Sequence, residues 1–162
     1  MTQTVILAVG ISGSGKSTRI NNAISKHKEL NQTYGVCSAD FYWEKDGPYK
    51  FDPMKLGEAH KYSQKTFQKL LEAGTEFIYV DNTCLTSKER TFYLKEATRV
   101  RAGIIAWVLP ANVDLSEQRN IHNVPRATLE RQASKMDLKP GMYIVTHIGD
   151  SNFQFHRMGD LE

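Results

Sequence analysis

The sequence GISGSGKST occupies residues 10–18 and fills the pattern GxxxxGK[ST]. It follows an apolar, partly β-branched run at Thr4–Val9, which is typical of a strand buried on both faces. A helix is expected directly after it, at 16–27. A strand that passes through glycines into a helix is the setting in which this pattern binds phosphate. The alternative is a glycine-rich turn with a surface lysine, and a chance match in a chain of this size has a frequency of about one per cent.

The glycines predict a loop whose backbone N–H groups face inward around phosphate oxygens, next to the positive end of the following helix. Lys16 is then expected to reach the β- and γ-phosphates of a nucleoside triphosphate, and Ser17 to hold Mg²⁺. The residues predicted to contact the nucleotide in this loop are Gly10, Ser12, Gly13, Ser14, Gly15, Lys16, Ser17 and Thr18.

Strand and helix signals alternate along the rest of the chain. Further strands are predicted at 33–38, 76–80, 103–109 and 142–146, and further helices at 53–73, at 87–101 and, in two pieces broken near Pro125, at 114–137. This alternation predicts an α/β fold, a three-layer αβα sandwich around a parallel five-stranded sheet, in a single domain over residues 1–162. The tail from Gly149 carries little signal. Ligands of such sheets bind beyond the carboxyl ends of the strands.

The composition is that of an ordinary globular domain, with 162 residues, 24% charged residues and a net charge of +3. This charge permits a polyanionic partner without requiring one. Cys37 and Cys84 form no CxxC pair, so neither a disulfide framework nor a zinc site is indicated. Apolar runs are too short to span a membrane, and no basic residues precede the first one. A cytoplasmic protein without a membrane partner is therefore expected.

Two acidic residues follow predicted strands. Asp81 ends an apolar strand, which is the usual position for a carboxylate near the metal, although an aspartate there also caps the following turn well. Asp40 follows the strand at 33–38 and is expected near the γ-phosphate, where it could accept a proton from an attacking hydroxyl. The alternative for Asp40 is an Asx turn, and spacing alone does not decide between the two.

Aromatic residues are concentrated in the loop after Asp40, and arginines between the fourth and fifth strands. The aromatic group predicts a small core that holds the loop in place, rather than a surface that stacks on a base. It consists of Phe41, Tyr42, Trp43, Tyr49 and Phe51.

The segment between the fourth and fifth strands contains Arg119, Arg126 and Arg131. These arginines indicate a lid segment at about 112–137 that closes over the phosphates, and the alternative is a solvated amphipathic helix. Basic residues at 87–101, Arg90 among them, are expected to form a solvated face.

Five stretches in order resemble the polynucleotide-kinase-like P-loop family of AAA_33-type ATPases, and in particular the kinase domain of the bacteriophage polynucleotide 5′-hydroxyl kinase. They are GISGSGKST, SADFYW, GPYKFDPMKLGEAH, FIYVDNT and RNIHNVP, and the likeness runs over about 5–136. The resemblance implies ATP and Mg²⁺, Lys16 and Ser17 on the phosphates and metal, Asp40 as general base, and Arg119 in a lid over ATP.

The chain departs from that pattern at two positions. Trp43 stands where the bacteriophage kinase has an arginine, three residues after the catalytic acid. Asn123 stands at the spacing of a second lid arginine, for which Arg126 is the expected substitute.

Two functions are compatible with these features. The first is an ATP-dependent kinase that passes the γ-phosphoryl group to a hydroxyl, on an RNA or DNA 5′ end or on a nucleotide-like small molecule. The second is a nucleotide-binding ATPase or regulator without an acceptor, which Trp43 favours. A GTPase switch is disfavoured because the sequence contains no NKxD-type guanine motif.

Overall fold

A computed structural model describes residues 2–119 and 121–161. The strands are β1 Thr4–Val9, β2 Tyr34–Cys37, β3 Phe77–Asp81, β4 Gly103–Val108, β5 Gly141–Gly149 and β6 Asn152–Gly159. The α-helices are α1 Lys16–Glu29, α2 Asp40–Glu44, α3 Leu56–Glu72, α4 Ser87–Arg99, α5 Val113–Gln118 and α6 Arg126–Lys135, with a 3₁₀ turn at Pro53–Lys55. None of the helices in these two ranges combines the length and hydrophobicity needed to cross a bilayer.

The strands form one sheet in the order β2-β3-β1-β4-β5-β6, with β1 parallel to both β3 and β4. Alternate residues of β1 enter two separate apolar clusters. Val5, Leu7 and Val9 pack with residues of α3 and α4 on one face, and Ile6 and Ala8 pack with α1 on the other. Helices therefore cover both faces, which confirms the predicted three-layer sandwich and explains why the β1 sequence is apolar throughout.

The prediction of a parallel five-stranded sheet is wrong in strand number and partly in direction. The sheet has six strands, and β5 runs antiparallel to β4. Gly141 at the start of β5 pairs with Val108 at the end of β4. The intervening lid segment thus leaves and rejoins the sheet at the same end of the strands, so β5 must run antiparallel to β4.

The tail forms β6, which pairs antiparallel with β5. The register joins Gly149 to Asn152, and Asp150 between them adopts a positive φ of 48°. Phe153 and Phe155 alternate with polar residues and pack against the larger apolar cluster. That alternation and the Gly149-Asp150 turn are the sequence signals that would have identified this hairpin.

Candidate active site

The glycine-rich loop connects β1 to α1 as predicted. Gly13 and Gly15 have positive φ values of 74° and 98°, which glycine adopts without steric penalty. The Ser14 hydroxyl is buried and has no hydrogen-bond partner among the described residues. A Cβ at Gly10 would lie 2.6 Å from this hydroxyl. A buried, unpaired hydroxyl in a loop of inward-facing amides fits a site whose ligand carries oxygen atoms.

The Lys16 side chain turns back into this loop. The residue is 8% exposed, and its Nζ donates to the carbonyl oxygens of Gly10 at 3.0 Å and Ile11 at 2.9 Å. Burial lowers the pKa of the Lys16 ammonium, and the nearby Asp81 carboxylate is the main influence that opposes this. The loop thus holds a desolvated cation, which would be stabilised by the negative charge of a phosphate group.

Ser17, in the first turn of α1, meets Asp81 at the end of β3. The Ser17 hydroxyl donates to Asp81 Oδ2 at 2.6 Å. A hydroxyl and a carboxylate beside a phosphate loop form an oxygen donor set of the kind that Mg²⁺ prefers, completed by phosphate oxygens and water. The residues present therefore fit the predicted metal, although the metal role itself stays a prediction.

Asp40 is the first residue of α2 and lies near Asp81. Its Oδ1 accepts a hydrogen bond from the Tyr49 hydroxyl at 3.4 Å. The residue as a whole is exposed to solvent, but neighbouring protein atoms surround part of its carboxyl group. This partial burial raises the pKa of Asp40; His122 and Lys16 act in the opposite direction, and Asp81 adds to the rise. A carboxylate that is destabilised in its charged form and stands near Lys16 suits a proton acceptor.

The lid segment lies directly on the phosphate loop. Ser12 N donates to Gln132 Oε1 at 2.9 Å, and Gln132 Nε2 donates to Ser12 Oγ at 3.2 Å. A Cβ added to Gly13 would lie 2.8 Å from the Ser116 carbonyl oxygen. The two-piece helix and its break near Pro125 are confirmed, while Asn120, within the predicted lid segment, lies outside the described residues.

The predicted lid arginines occupy different environments. A Cβ at Gly15 would lie 3.5 Å from Arg119 Nη1, so this guanidinium stands beside the phosphate loop. Arg126 instead joins the two lid helices through ion pairs with Asp114 at 2.8 Å, Glu130 at 3.0 Å and Glu117 at 3.4 Å. Contact of Arg126 with a nucleotide, which stays a prediction, would require these pairs to rearrange.

A family model described as an AAA domain, AAA_33, matches residues 5–138, most of the chain. The chain belongs to this AAA-domain family. The match confirms the family resemblance that the five sequence stretches predicted. In this AAA-domain chain, a nucleotide site would be built where Lys16 and Ser17 of α1 lie next to Asp81 at the end of β3.

The AAA-domain chain is similar to human NEDD4-binding protein 2, with 29% identity over 132 residues that cover 78% of this chain and 7% of that protein. A chain of the Pnkp1/Rnl/Hen1 RNA repair complex aligns with a TM-score of 0.61 at 18% identity over 83% of this chain and 44% of that chain. The Mycobacterium tuberculosis APS kinase CysC, in complex with AMPPNP and APS, aligns with a TM-score of 0.57 at 17% identity over 75% of this chain and 70% of that chain. The AAA-domain chain thus shares the fold of P-loop kinases and spans only a small part of its human relative.

The aromatic group forms the small core that the sequence favoured. Trp43 is 6% exposed and contacts Tyr42 and Phe51 edge to face, each at a ring-centroid distance of 5.1 Å. Trp43 therefore holds the loop in place through its buried ring. Phe41 and Tyr49 lie outside this core, because Phe41 lines a cleft of about 180 Å³ beside Ser17 and Asp81, and Tyr49 stacks on His122.

The expectation of a solvated Arg90 is wrong. Arg90 is 3% exposed, donates to the Cys84 carbonyl at 2.9 Å and pairs with Asp137 at 2.9 Å. Its guanidinium also lies 5.3 Å from the centroid of Phe155, so strand β6, which the sequence did not predict, helps to bury it.

Two site residues were not identified from the sequence. His122 of the lid stacks on Tyr49 with centroids 3.9 Å apart, and Asn82 connects β3 to the start of α2. Only the position of Asn82 directly after Asp81 could have indicated a role. The stack of His122 on Tyr49 joins segments about 70 residues apart, so no local sequence pattern indicates it.

Proposed function

We propose that this AAA-domain chain is a phosphotransferase that passes the γ-phosphoryl group of ATP to a hydroxyl group. One observation carries the proposal. The ends of β1, β2 and β3, three neighbouring strands, bring Lys16, Asp40 and Asp81 close enough together for their charges to interact. A phosphate-binding cation, a metal-binding acid and a separate proton acceptor are the minimal set for transfer to a hydroxyl.

The chain's own residues supply binding and orientation. Loop amides and the Lys16 ammonium would hold the β- and γ-phosphates, with Arg119 closing over them from the lid. Ser17 and Asp81 would hold Mg²⁺, which when bound neutralises charge on the phosphate oxygens. The residues proposed to contact ATP are Gly10, Ser12, Gly13, Ser14, Gly15, Lys16, Ser17, Thr18, Arg119 and Arg126.

Asp40 would act on the acceptor. Its carboxylate takes the proton of the acceptor hydroxyl as the oxygen bonds to the γ-phosphorus, and the bond from that phosphorus to the β–γ bridging oxygen breaks to release ADP. The Tyr49 hydroxyl at 3.4 Å orients the carboxylate. Because proton transfer needs contact at hydrogen-bond distance, the position of Asp40 decides the rate more than its pKa does.

A polynucleotide 5′-hydroxyl is the acceptor that the family resemblance supports, and the similarity to a chain of an RNA repair complex points the same way. A nucleotide-like small molecule is supported by the similarity to APS kinase. The net charge of +3 is compatible with either.

The second candidate is an ATPase or nucleotide-dependent regulator without an acceptor. The observation that favours it is the identity of residue 43. A buried tryptophan stands there, whereas the bacteriophage kinase has an arginine at the corresponding sequence position.

The deciding experiment follows γ-labelled phosphate from ATP to a panel of 5′-hydroxyl RNA, 5′-hydroxyl DNA, nucleosides, nucleotides and protein. We expect label on a polynucleotide 5′ end or on a nucleotide. Label that appears only as free phosphate would overturn the kinase proposal and support the ATPase.

Two variants separate binding from transfer. Asp40→Asn is expected to retain ATP affinity and to lose transfer by at least about 100-fold, because general base catalysis contributes on the order of 10² to 10⁴. Lys16→Ala is expected to weaken both, with the exposed Lys26→Ala on the same helix as control. Full transfer by Asp40→Asn would show that Asp40 is not the general base.

A further inference from the structure

Asn82 connects the metal-side strand to the helix that carries Asp40. It directly follows Asp81 in the chain, and its Oδ1 accepts a hydrogen bond from the backbone N–H of Ala39 at 2.8 Å. Ala39 is the residue immediately before Asp40, at the start of α2. One side chain thus joins the backbone next to Asp81 to the backbone next to Asp40.

Two buried hydroxyls determine which way the Asn82 amide points. Asn82 Nδ2 donates to Ser63 Oγ at 3.0 Å and to Tyr93 Oη at 3.1 Å, and these two oxygens lie 2.8 Å apart. Ser63 is fully buried and Tyr93 is 3% exposed, so water does not compete for them. With both amide hydrogens directed at hydroxyls of α3 and α4, Oδ1 faces the Ala39 amide.

Helix α2 depends on this contact more than a longer helix would. It has five residues and no side-chain cap within its own first turn. The amides at a helix start have no partner within the helix, and Asn82 supplies one from outside. The Ser38 hydroxyl also accepts from the Asp40 backbone N–H, at 3.2 Å, but Ser38 belongs to the same segment of the chain. The Asn82 contact is the one that ties the start of α2 to the residue after Asp81.

We propose that Asn82 is a positioning residue for phosphoryl transfer, which fixes Asp40 relative to Asp81 without touching ATP or the acceptor. The proposal rests on the proposed kinase function. A displacement of about 1 Å at a reacting group costs on the order of 100-fold in rate, whereas substrate affinity depends on other contacts. Loss of Asn82 should therefore lower kcat and leave KM nearly unchanged.

The test compares Asn82→Ala with Gln68→Ala. Asn82→Ala removes the contact with Ala39, and we expect kcat to fall about 10- to 100-fold while KM for ATP and for the acceptor changes less than about threefold. Gln68→Ala removes a side-chain hydrogen bond between the same two helices, from Gln68 Nε2 of α3 to Glu96 Oε1 of α4 at 3.0 Å, and leaves Asn82 and its partners in place, so we expect kcat within about threefold of wild type. Thermal unfolding of both variants shows whether their stability losses are comparable.

The outcomes are distinguishable. Unchanged kcat in Asn82→Ala, or an equal fall in kcat in Gln68→Ala, overturns the inference alone. Absence of transfer by the wild-type protein overturns the proposed function and the inference with it. Should Asn82→Ala not fold, amide hydrogen exchange on the wild type serves instead. We expect the Ala39 amide to exchange as slowly as those of β3, and rapid exchange overturns the positioning role.

Discussion

Asp40, the proposed general base, lies in an unfavourable environment for its charge. Partial burial and the neighbouring Asp81 raise the pKa of Asp40, and His122, Lys16 and the Tyr49 hydroxyl only partly offset this. A raised pKa means that the folded protein binds this proton more tightly than the unfolded chain does. Ionising Asp40 therefore destabilises the fold, which is a common property of functional residues.

The pH dependence of stability follows from this direction. Below the usual aspartate pKa of 3.8, the carboxyl is protonated in both states and has no effect. As pH rises past that value the unfolded chain ionises first, and the folded state loses stability until pH passes the raised pKa. We predict that Asp40→Asn increases the free energy of unfolding in urea at neutral pH, and that the gain disappears below about pH 4.

The control for this prediction is Asp150→Asn, the same exchange at an exposed position in the β5–β6 turn, which should change stability little at either pH. A neutral-pH gain of the same size in both variants would contradict the argument from the Asp40 environment.

At the scale of elements, the lid helices pack directly on the phosphate loop. Helix α5 approaches at Ser116, α6 bonds to Ser12 through Gln132, and His122 between them stacks on Tyr49 beside Asp40. The lid segment therefore contacts both the glycine-rich loop and the loop that carries Asp40.

Glycine substitutions test the close approach of α5. Gly13 and Gly74 have nearly equal φ values of 74° and 72°, but a Cβ at Gly13 lies 2.8 Å from Ser116 O, whereas one at Gly74 meets nothing within 4 Å. We predict that Gly74→Ala costs about 1 kcal/mol of unfolding free energy from the left-handed backbone alone. Gly13→Ala should cost about 1 to 3 kcal/mol more, because the added methyl group overpacks the contact.

Urea unfolding of the two glycine variants measures the difference. Equal losses would mean that α5 moves away from Gly13 at little cost, and that the lid is only loosely held on the loop.

At the scale of the molecule, Arg90 links parts of the chain that lie far apart in sequence. From α4 it contacts the Cys84 carbonyl, the Asp137 carboxylate after the lid and the Phe155 ring on β6. Asp137 also accepts from Ser87 N at 3.2 Å at the start of α4. The end of the lid and the last strand are thus attached to the same buried cation.

Removal of the Asp137 carboxylate tests this attachment. Breaking a fully buried ion pair from one side costs about 3 to 5 kcal/mol, because the remaining charge is left without a partner. The Asp137 side chain is 44% exposed, so for Asp137→Ala we predict a smaller loss of about 2 to 3 kcal/mol. The control is Asp160→Ala, which breaks the exposed pair with Arg157 and should cost less than about 1 kcal/mol in the same urea titration. A similar small loss for Asp137→Ala would contradict the role of Arg90.

The sequence by itself determined the features that depend on neighbouring residues. The glycine pattern at 10–18, the apolar run of β1 and the acid at the end of β3 each lie within one short segment, and each predicted its element and position correctly. The break near Pro125 was also predicted, because proline interrupts a helix through its own backbone.

Only the tertiary structure decided which distant residues meet. Strand β5 is antiparallel because the lid segment leaves β4 and enters β5 at the same end of the sheet. Arg90 is buried partly because Phe155 of β6 packs against its guanidinium. The contact of Asn82 with Ala39 joins positions 43 residues apart. Such pairs have no local sequence signal, because their energy arises only when the sheet brings the strand ends together.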